Sequence, residues 1–281
     1  MDIIGQKQLL ERIDNLIATD NWPRFAIFYG PKGSGRKMLS DYVGEKLGAR
    51  FVPCEIGVGA VRDAILLSYE QTEPTLYMFG DADRMSVAAK NALLKVTEEP
   101  PLKSYFIMTV EDLDSTLGTI QSRANCFMLG TYTPSELEEY ANVKGYTLTE
   151  SEVQILKDIC NTPGDVDALC VENITEFHGF ANRVLDLLAT TTGSNALKIP
   201  TYFRYKEEDE KGYDPIMFLR CIKVICSKRM VDTPSIYWRD VISTTNQFLG
   251  DMRVSGINKQ ATLDLWILKV RSILAQMEGV V

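Results

Sequence analysis

The residue types with the clearest chemical potential lie in a glycine-rich stretch at residues 29–37, YGPKGSGRK. Its three glycines are Gly30, Gly33 and Gly35. The stretch follows a strand-like apolar pattern and precedes a helical one, the setting in which backbone N–H groups bind phosphate. In the motif G-x-x-x-x-G-K-[ST], Lys reaches phosphate oxygens and the hydroxyl binds Mg²⁺. Arg36 replaces that lysine and Lys37 replaces the hydroxyl, which predicts a degenerate phosphate loop where a second positive charge would repel the metal.

A second candidate site residue, Asp81, ends an apolar run over residues 75–80 that predicts a buried strand. In ATP-hydrolysing P-loop proteins, an acid at this place orients Mg²⁺, and a following Glu activates the attacking water. Ala82 stands where that Glu would be. We therefore expect Asp81 to lie beside the phosphate loop in a site that lacks a base for hydrolysis.

Composition restricts the class of protein. The 281 residues carry a net charge of −8, which argues against broad, sequence-independent binding of DNA by this chain alone. The six cysteines include no C-x-x-C pair, and His178 is the only histidine, so no zinc ribbon or histidine-based metal site is predicted. No apolar run approaches the roughly 18 residues of a spanning helix, and the first residues lack a secretory signal. We expect a cytosolic (cytoplasmic) protein with no membrane partner.

Hydrophobic periodicity predicts three regions. Residues 1–131 alternate five strands with helices, which predicts an α/β domain with a parallel sheet covered by helices on both faces. Residues 132–172 show three short helical patterns, predicted to form a small lid, and residues 173–281 are predicted to form an all-α C-terminal domain. Within that domain, the charge run at residues 205–212 is predicted to be a solvated loop.

Three further motifs carry a family resemblance. They are residues 91–101, NALLKVTEEPP, residues 119–123, TIQSR, and residues 162–164, TPG. On these motifs, together with the glycine-rich loop and residues 80–83, the chain resembles clamp-loader subunits of the AAA+ class, in particular the delta-prime subunits of bacterial DNA polymerase III. The resemblance covers about residues 1–170, and beyond them it is one of architecture only. It implies a P-loop AAA+ sheet, a helical lid and a C-terminal collar domain for oligomerisation.

The resemblance assigns a role to Ser122 and Arg123. In the family, a Ser-Arg-Cys motif places an arginine finger in the nucleotide site of a neighbouring subunit. This sequence matches the first two positions, whereas Ala124 departs from the third. The permanent charge and planar donors of arginine suit contact with phosphate oxygens across an interface. Arg123 is therefore expected to be a finger acting in trans.

Other departures concern the nucleotide site and zinc. Relatives that hydrolyse ATP have a lid arginine where Asp165 and Asp167 lie here. Bacterial relatives often hold a four-cysteine zinc module between the phosphate loop and the acidic strand, an interval in which this sequence has only Cys54. With the loop lysine, the metal hydroxyl and the water-activating Glu also replaced, we expect no useful ATPase activity from this chain by itself. No cofactor is required and no zinc is expected, while residual binding of ATP or ADP stays open.

These features predict a non-hydrolysing subunit of a sliding-clamp loader in DNA replication. Its expected partners are ATPase subunits and a clamp-opening subunit in a hetero-oligomer that acts on a sliding clamp and primer-template DNA. Two alternatives stay open. One is an active AAA+ ATPase that uses Arg36 or Lys37 in the lysine role. The other is a clamp-opening, delta-type subunit, which the match at Ser122 and Arg123 disfavours. The source stays open between a divergent bacterial version and a phage-encoded one.

Overall fold

A computed structural model describes four ranges of the chain, residues 3–171, 173–190, 214–252 and 257–277. The charge run predicted as a loop, residues 205–212, lies outside them. The chain divides into two compact units, one of Met1–Val143 with Asn161–Gly164, the other of Lys144–Cys160 with Asp165–Val281. The three-region division at residues 1–131, 132–172 and 173–281 stays a prediction.

The first unit is built on a five-stranded, fully parallel sheet with the order β2-β3-β4-β1-β5. The strands are β1 Phe25–Tyr29, β2 Arg50–Cys54, β3 Thr75–Phe79, β4 Ser104–Val110 and β5 Asn125–Met128. Strand β3 is apolar and buried along its whole length, as expected for a strand covered on both faces. The α/β fold with a parallel sheet predicted from the sequence is confirmed.

Helices cover both faces of this sheet. They are α1 Lys7–Ala18, α2 Arg36–Lys46, α3 Val58–Tyr69, α4 Val87–Glu98 and the short α5 Gly118–Gln121. The unit also contains α6 Pro134–Val143. In β1, Phe25 and Ile27 pack in one hydrophobic cluster with residues of α3 and α4, whereas Ala26 and Phe28 pack in another with residues of α1 and α2. Successive strand residues point to opposite faces, so a short apolar strand supplies two cores at once.

The parallel arrangement places the carboxyl ends of all strands at one edge of the sheet. The loop after β1 leads into α2, and the segment after β3 contains Asp81 and Asp83. The loop after β4 starts at this edge and leads through α5 to Arg123, which lies two residues before β5 and thus at the opposite, amino end of the strands. The sheet order, with β4 between β1 and β3, therefore brings the glycine-rich loop and Asp81 to the same edge, whereas Arg123 lies apart from them.

The second unit contains helices only, within the residues that the structure describes. Its helices are α7 Glu150–Ile159, α8 Pro163–Val171, α9 Ile174–Thr190, α10 Pro215–Asp232, α11 Ile236–Asp251 and α12 Lys259–Met277. Helix α8 belongs to this unit from Asp165 onward. Two of these helices begin with a side-chain cap. Thr149 and Glu152 form a capping box at the start of α7. Asp214, which precedes Pro215, accepts hydrogen bonds from the backbone N–H groups of Ile216 and Met217 at the start of α10. None of the described helices combines the length and apolar character needed to cross a membrane.

A buried hydrogen bond joins two helices of this unit. The indole N–H of Trp266 donates to Thr245 Oγ1 at 3.0 Å, and that hydroxyl donates to the Val241 carbonyl at 2.7 Å. Both side chains are fully buried. An indole N–H at such a position costs free energy unless it has an acceptor, so the threonine hydroxyl is matched to the tryptophan.

We expect Thr245→Val to lower the free energy of unfolding by about 1–3 kcal/mol, because it keeps the side-chain shape but leaves the Trp266 N–H without its acceptor. Urea unfolding of the full chain, followed by tryptophan fluorescence, measures the change. Thr262→Val is a matched control, since Thr262 makes the same bond to a carbonyl four residues earlier but is exposed. Equal effects of the two substitutions would contradict the assignment.

Candidate functional site

The glycine-rich loop between β1 and α2 has the backbone conformation of a phosphate loop. Gly33 and Gly35 have φ values of +79° and +90°, a region that residues with a Cβ rarely adopt. A Cβ on Gly30 would collide with the carbonyl oxygen of Leu129, so this glycine permits a close approach to the residue after β5. The Gly30 N–H donates to the Val110 carbonyl at 3.2 Å, which joins the loop to the end of β4.

Three successive carbonyl oxygens of this loop accept hydrogen bonds from other segments of the same unit. Thr162 Oγ1 donates to the Lys32 carbonyl at 3.2 Å, and the Gly164 N–H donates to the Gly33 carbonyl at 3.1 Å. The next carbonyl, of Ser34, accepts a hydrogen bond from the Tyr132 hydroxyl at 2.9 Å. Because a Cβ on Gly164 would lie 2.6 Å from the Gly33 Cα, the two backbones pack as closely as only glycines allow. The loop shape therefore depends on contacts within its own unit.

The two substituted side chains of the loop point in different directions. Arg36 is 7% exposed, and its Nη2 lies 3.9 Å from Asp81 Oδ1. Its Nη1 is buried with no hydrogen-bond partner among the described residues, and so is the Ser34 hydroxyl. Lys37, one residue further along α2, is exposed. Successive helical residues are rotated by about 100°, so Lys37 turns outward where Arg36 turns inward.

These positions fit a phosphate group but not a metal ion. A buried guanidinium with an unpaired N–H is a strong donor for an anion, and Arg36 occupies the place of the phosphate-binding lysine. Arg36, Ser34 and the loop N–H groups are the residues that would hold a phosphate. Neither residue 36 nor residue 37 offers a hydroxyl that would bind Mg²⁺ beside the phosphate.

Asp81 and Asp83 follow β3 but differ in their surroundings. The Asp81 side chain is 68% exposed, and its backbone is left-handed, with a φ of 49°. The Asp83 carboxylate instead accepts bonds from the Glu111 N–H at 3.0 and 2.9 Å and from the Ser115 hydroxyl at 2.9 Å. Asp83 thereby joins the end of β3 to the loop after β4. Ala82, between them, is fully buried.

The loop after β4 has further attachments that continue toward Arg123. Lys90 of α4 is 7% exposed, and its Nζ donates to the Ser115 carbonyl at 2.6 Å. The side-chain amide of Gln121 donates to the Leu113 and Thr116 carbonyls at 2.9 and 3.1 Å. The chain between β4 and Arg123, residues 111–123, is called here the finger segment. Hydrogen bonds from the buried or half-buried side chains of Asp83, Lys90 and Gln121 hold this segment in place.

Arg123 lies on the surface just after α5. Its Nη1 donates to the Thr119 carbonyl at 2.8 Å, its Nη2 lies 3.0 Å from Glu98 Oε1, and its side chain is 39% exposed. Ser122 is also exposed, and its hydroxyl donates to the same Thr119 carbonyl at 3.1 Å. Neither of these contacts involves the phosphate loop. The structure thus brings Arg36 and Asp81 together, whereas Ser122 and Arg123 form a separate surface feature.

No cluster of three or more metal-binding side chains occurs among residues 3–171, 173–190, 214–252 and 257–277. Cys54, the one cysteine between the glycine-rich loop and β3, is half-buried at the end of β2. Burial raises the pKa of its thiol to about 11.

The sequence missed four side chains that shape this site. These are Asp83, Lys90, Glu98 and Tyr132. Asp83 lies within the motif at residues 80–83, but nothing in the sequence marks it as the acceptor for backbone N–H groups 28 residues later. Tyr132 contacts a carbonyl 98 residues away, a distance at which spacing carries no signal.

Comparison with known proteins agrees with the fold and motifs. A family model described as "DNA polymerase III, delta subunit" matches residues 60–133. Replication factor C subunit 3 of Schizosaccharomyces pombe is 26% identical over 152 residues, which is 49% of this chain and 44% of that protein. DNA polymerase III subunit delta' of Haemophilus influenzae is 32% identical over 102 residues, or 35% of this chain and 30% of that one. The chain spans about half the length of the curated relatives it matches.

One solved structure with a similar fold is a DNA polymerase III gamma subunit-related protein from Thermotoga maritima. The TM-score is 0.52 at 15% sequence identity, with 95% of this chain and 99% of that chain covered. At this identity the likeness concerns the fold, which is that of the P-loop AAA+ class. Within that class, the chain resembles a clamp-loader subunit of the delta-prime type.

Asp83→Asn should lower the free energy of unfolding by about 1.5–3 kcal/mol, because the amide loses the charge that strengthens its bonds to the Glu111 N–H and the Ser115 hydroxyl. Asp81→Asn is the matched control. It should change stability by less than about 0.5 kcal/mol, since Asp81 is exposed and Asn tolerates left-handed backbone. Urea unfolding measures both variants, and hydrogen exchange at the Glu111 N–H should accelerate only in the first. A larger effect of Asp81→Asn would contradict this assignment.

Proposed function

We propose that the chain is a non-hydrolysing subunit of a sliding-clamp loader in DNA replication and that it donates Arg123 to the nucleotide site of a neighbouring ATPase subunit. The observation that carries this proposal is the contrast between the two arginines of the first unit. Arg36, in the chain's own loop, is buried. Arg123, in contrast, is exposed and lies at the end of the finger segment, which side-chain hydrogen bonds hold in place. An arginine acting across an interface needs that exposure and that support.

The chain's own loop lacks the groups for hydrolysis. The position of the water-activating carboxylate is Ala82, which is fully buried and carries no base. Asp83, the acid that follows it, is committed to the Glu111 N–H and the Ser115 hydroxyl. With no hydroxyl at residue 37 for Mg²⁺, charge stabilisation of a leaving phosphate is also missing. These features support a subunit that is inactive as an ATPase by itself.

The same loop supports residual binding of a nucleotide phosphate. The buried, unpaired Nη1 of Arg36 would gain a partner from a phosphate oxygen, and the left-handed glycines keep backbone N–H groups available. No nucleotide is required for the proposed role, and no zinc is included in it. The structural role of the loop, to support the sheet edge, is independent of any ligand.

The proposed assembly is a cytoplasmic hetero-oligomer. Its members would be ATPase subunits, which supply the nucleotide that Arg123 contacts, and a clamp-opening subunit. The sliding clamp and primer-template DNA would be partners of the whole assembly. The net charge of −8 is consistent with contact to DNA through the complex and not through this chain acting alone.

Arg123→Ala should lower the clamp- and DNA-dependent ATPase kcat of the reconstituted complex by about 10²- to 10³-fold, the usual loss when one preorganised donor to the transition state is removed. The complex is assembled from this chain with the AAA+ ATPase subunit, the clamp-opening subunit and the clamp of the same source, and assayed with primed DNA. Arg50→Ala is the control, because Arg50 is an exposed arginine on β2, the edge strand farthest from β5 in the sheet. Unchanged turnover with Arg123→Ala would contradict the proposal.

The isolated chain should bind ADP weakly, with an affinity that Mg²⁺ leaves unchanged and that Arg36→Met lowers by about tenfold or more. Calorimetric titration measures this, with Lys37→Met as the exposed control. Equal affinity for the wild type and Arg36→Met would contradict the assigned role of Arg36. The isolated chain should also show no ATP turnover at high protein concentration. Mg²⁺-dependent turnover that Asp81→Ala abolishes would instead support the alternative of an active ATPase.

A further inference from the structure

The guanidinium of Arg123 is held at both terminal nitrogens and still has open N–H donors. Of its five N–H donors, one reaches the Thr119 carbonyl and one reaches Glu98. The remaining three have no acceptor among the described residues of the chain, and the side chain is 39% exposed. Because two points of attachment fix the plane of a rigid fork, the open donors point in a defined direction and do not sweep the surface.

Glu98 is the acceptor whose position demands an explanation. It is the last residue of α4, and Glu99, Pro100 and Pro101 follow it. A carboxylate at a helix C-terminus faces the negative end of the helix dipole, which is unfavourable by itself. A cation at the same place is favourable, so Arg123 offsets both the charge of Glu98 and the end of the helix. The pair is therefore matched to this helix end.

Helix α4 also contacts the finger segment at a second place. Lys90, near the start of the helix, donates to the Ser115 carbonyl at 2.6 Å. Lys90 and Glu98 are two helical turns apart, which is about 12 Å along the axis. One rigid helix thus contacts the finger segment at both Ser115 and Arg123. A helix of this kind can set the position of Arg123 more reliably than a loop can.

We propose that Glu98 is a positioning residue for Arg123, one that directs the three open N–H donors of the guanidinium toward the phosphate of a neighbouring subunit. This inference rests on the proposed function. Glu98 does not contact the phosphate in this role. It holds Nη2 of the guanidinium, so that the orientation entropy of a long side chain is lost before the subunits meet and not when the phosphate is contacted.

The alternative role for Glu98 is competition, in which the carboxylate withholds Arg123 from the phosphate. The two roles predict opposite signs. If Glu98 positions the finger, its removal lowers the rate of ATP hydrolysis by the neighbouring subunit. If Glu98 competes, its removal raises that rate. The separate anchor at the Thr119 carbonyl favours positioning, since a guanidinium whose two terminal nitrogens are each held by one acceptor still presents its other donors.

The test is the ATPase activity of the reconstituted complex with Glu98→Ala in this chain. We expect kcat to fall by about 3- to 10-fold, more than an exposed ion pair alone would cause and less than loss of the finger, with the KM for ATP unchanged. Glu98→Gln, which keeps an acceptor, should retain more activity than Glu98→Ala. Glu99→Ala is the matched control, because Glu99 is the adjacent exposed carboxylate. In the Arg123→Ala background, Glu98→Ala should have no further effect.

A measurement on the isolated chain separates positioning from general destabilisation. The ¹⁵Nε–H signal of Arg123, assigned with Arg123→Lys, should broaden and exchange faster with water in Glu98→Ala, while the unfolding midpoint in urea stays unchanged. If Arg123→Ala abolishes stimulation but Glu98→Ala matches or exceeds the wild type, this inference is overturned and the proposed function stands. If Arg123→Ala has no effect, the proposed function fails and the inference fails with it.

Discussion

The candidate site depends first on the carboxylate of Asp83. It accepts hydrogen bonds from the Glu111 N–H and the Ser115 hydroxyl, and so it joins the end of β3 to the chain that follows β4. Charge-assisted bonds of this kind are about twice as strong as neutral ones. The finger segment begins at this joint, beside the phosphate loop, and ends at Arg123 near the amino end of β5. One continuous segment thus connects the two features.

The chemistry of the sheet edge also depends on which polar side chains are used for structural contacts. In the first unit, Asp83 and Lys90 are committed to the finger segment, and Ala82 is buried. The acid left exposed, Asp81, is near Arg36 at a separation of 3.9 Å, too long for a strong pair. The chain therefore retains the backbone of a phosphate site, whereas the side chains of Asp83 and Lys90 stabilise the fold. This division agrees with the proposed role, in which hydrolysis belongs to a neighbour.

The fold could be predicted from the sequence because its signals are local. The apolar run of β3, the glycine spacing before α2 and the caps of the C-terminal helices each act over a few residues. The site could be predicted only in part. Spacing placed Arg36 and Lys37 together in the motif, but the helical rotation between them buries one and exposes the other.

The contacts that position Arg123 carry no local signal. The pair of Glu98 and Arg123 joins the ends of two helices, and the sheet order that brings them together is set by hydrophobic packing elsewhere in the unit. A motif match identifies such residues one at a time, whereas their pairing requires the tertiary structure. The roles of Ser122 and Arg123 accordingly stay predictions that rest on resemblance, exposure and support.

The most direct measurement is a structure of this chain in complex with its ATPase partner, the clamp and primed DNA, trapped with ADP and beryllium fluoride. Our account predicts that a guanidinium nitrogen of Arg123 lies about 2.7–3.2 Å from a fluoride in the partner's nucleotide site. It also predicts that this chain's own loop holds no Mg²⁺–beryllium fluoride. An Arg123 that faces solvent in the trapped complex, or a loop between β1 and α2 that holds the metal and the phosphate analogue, would contradict it.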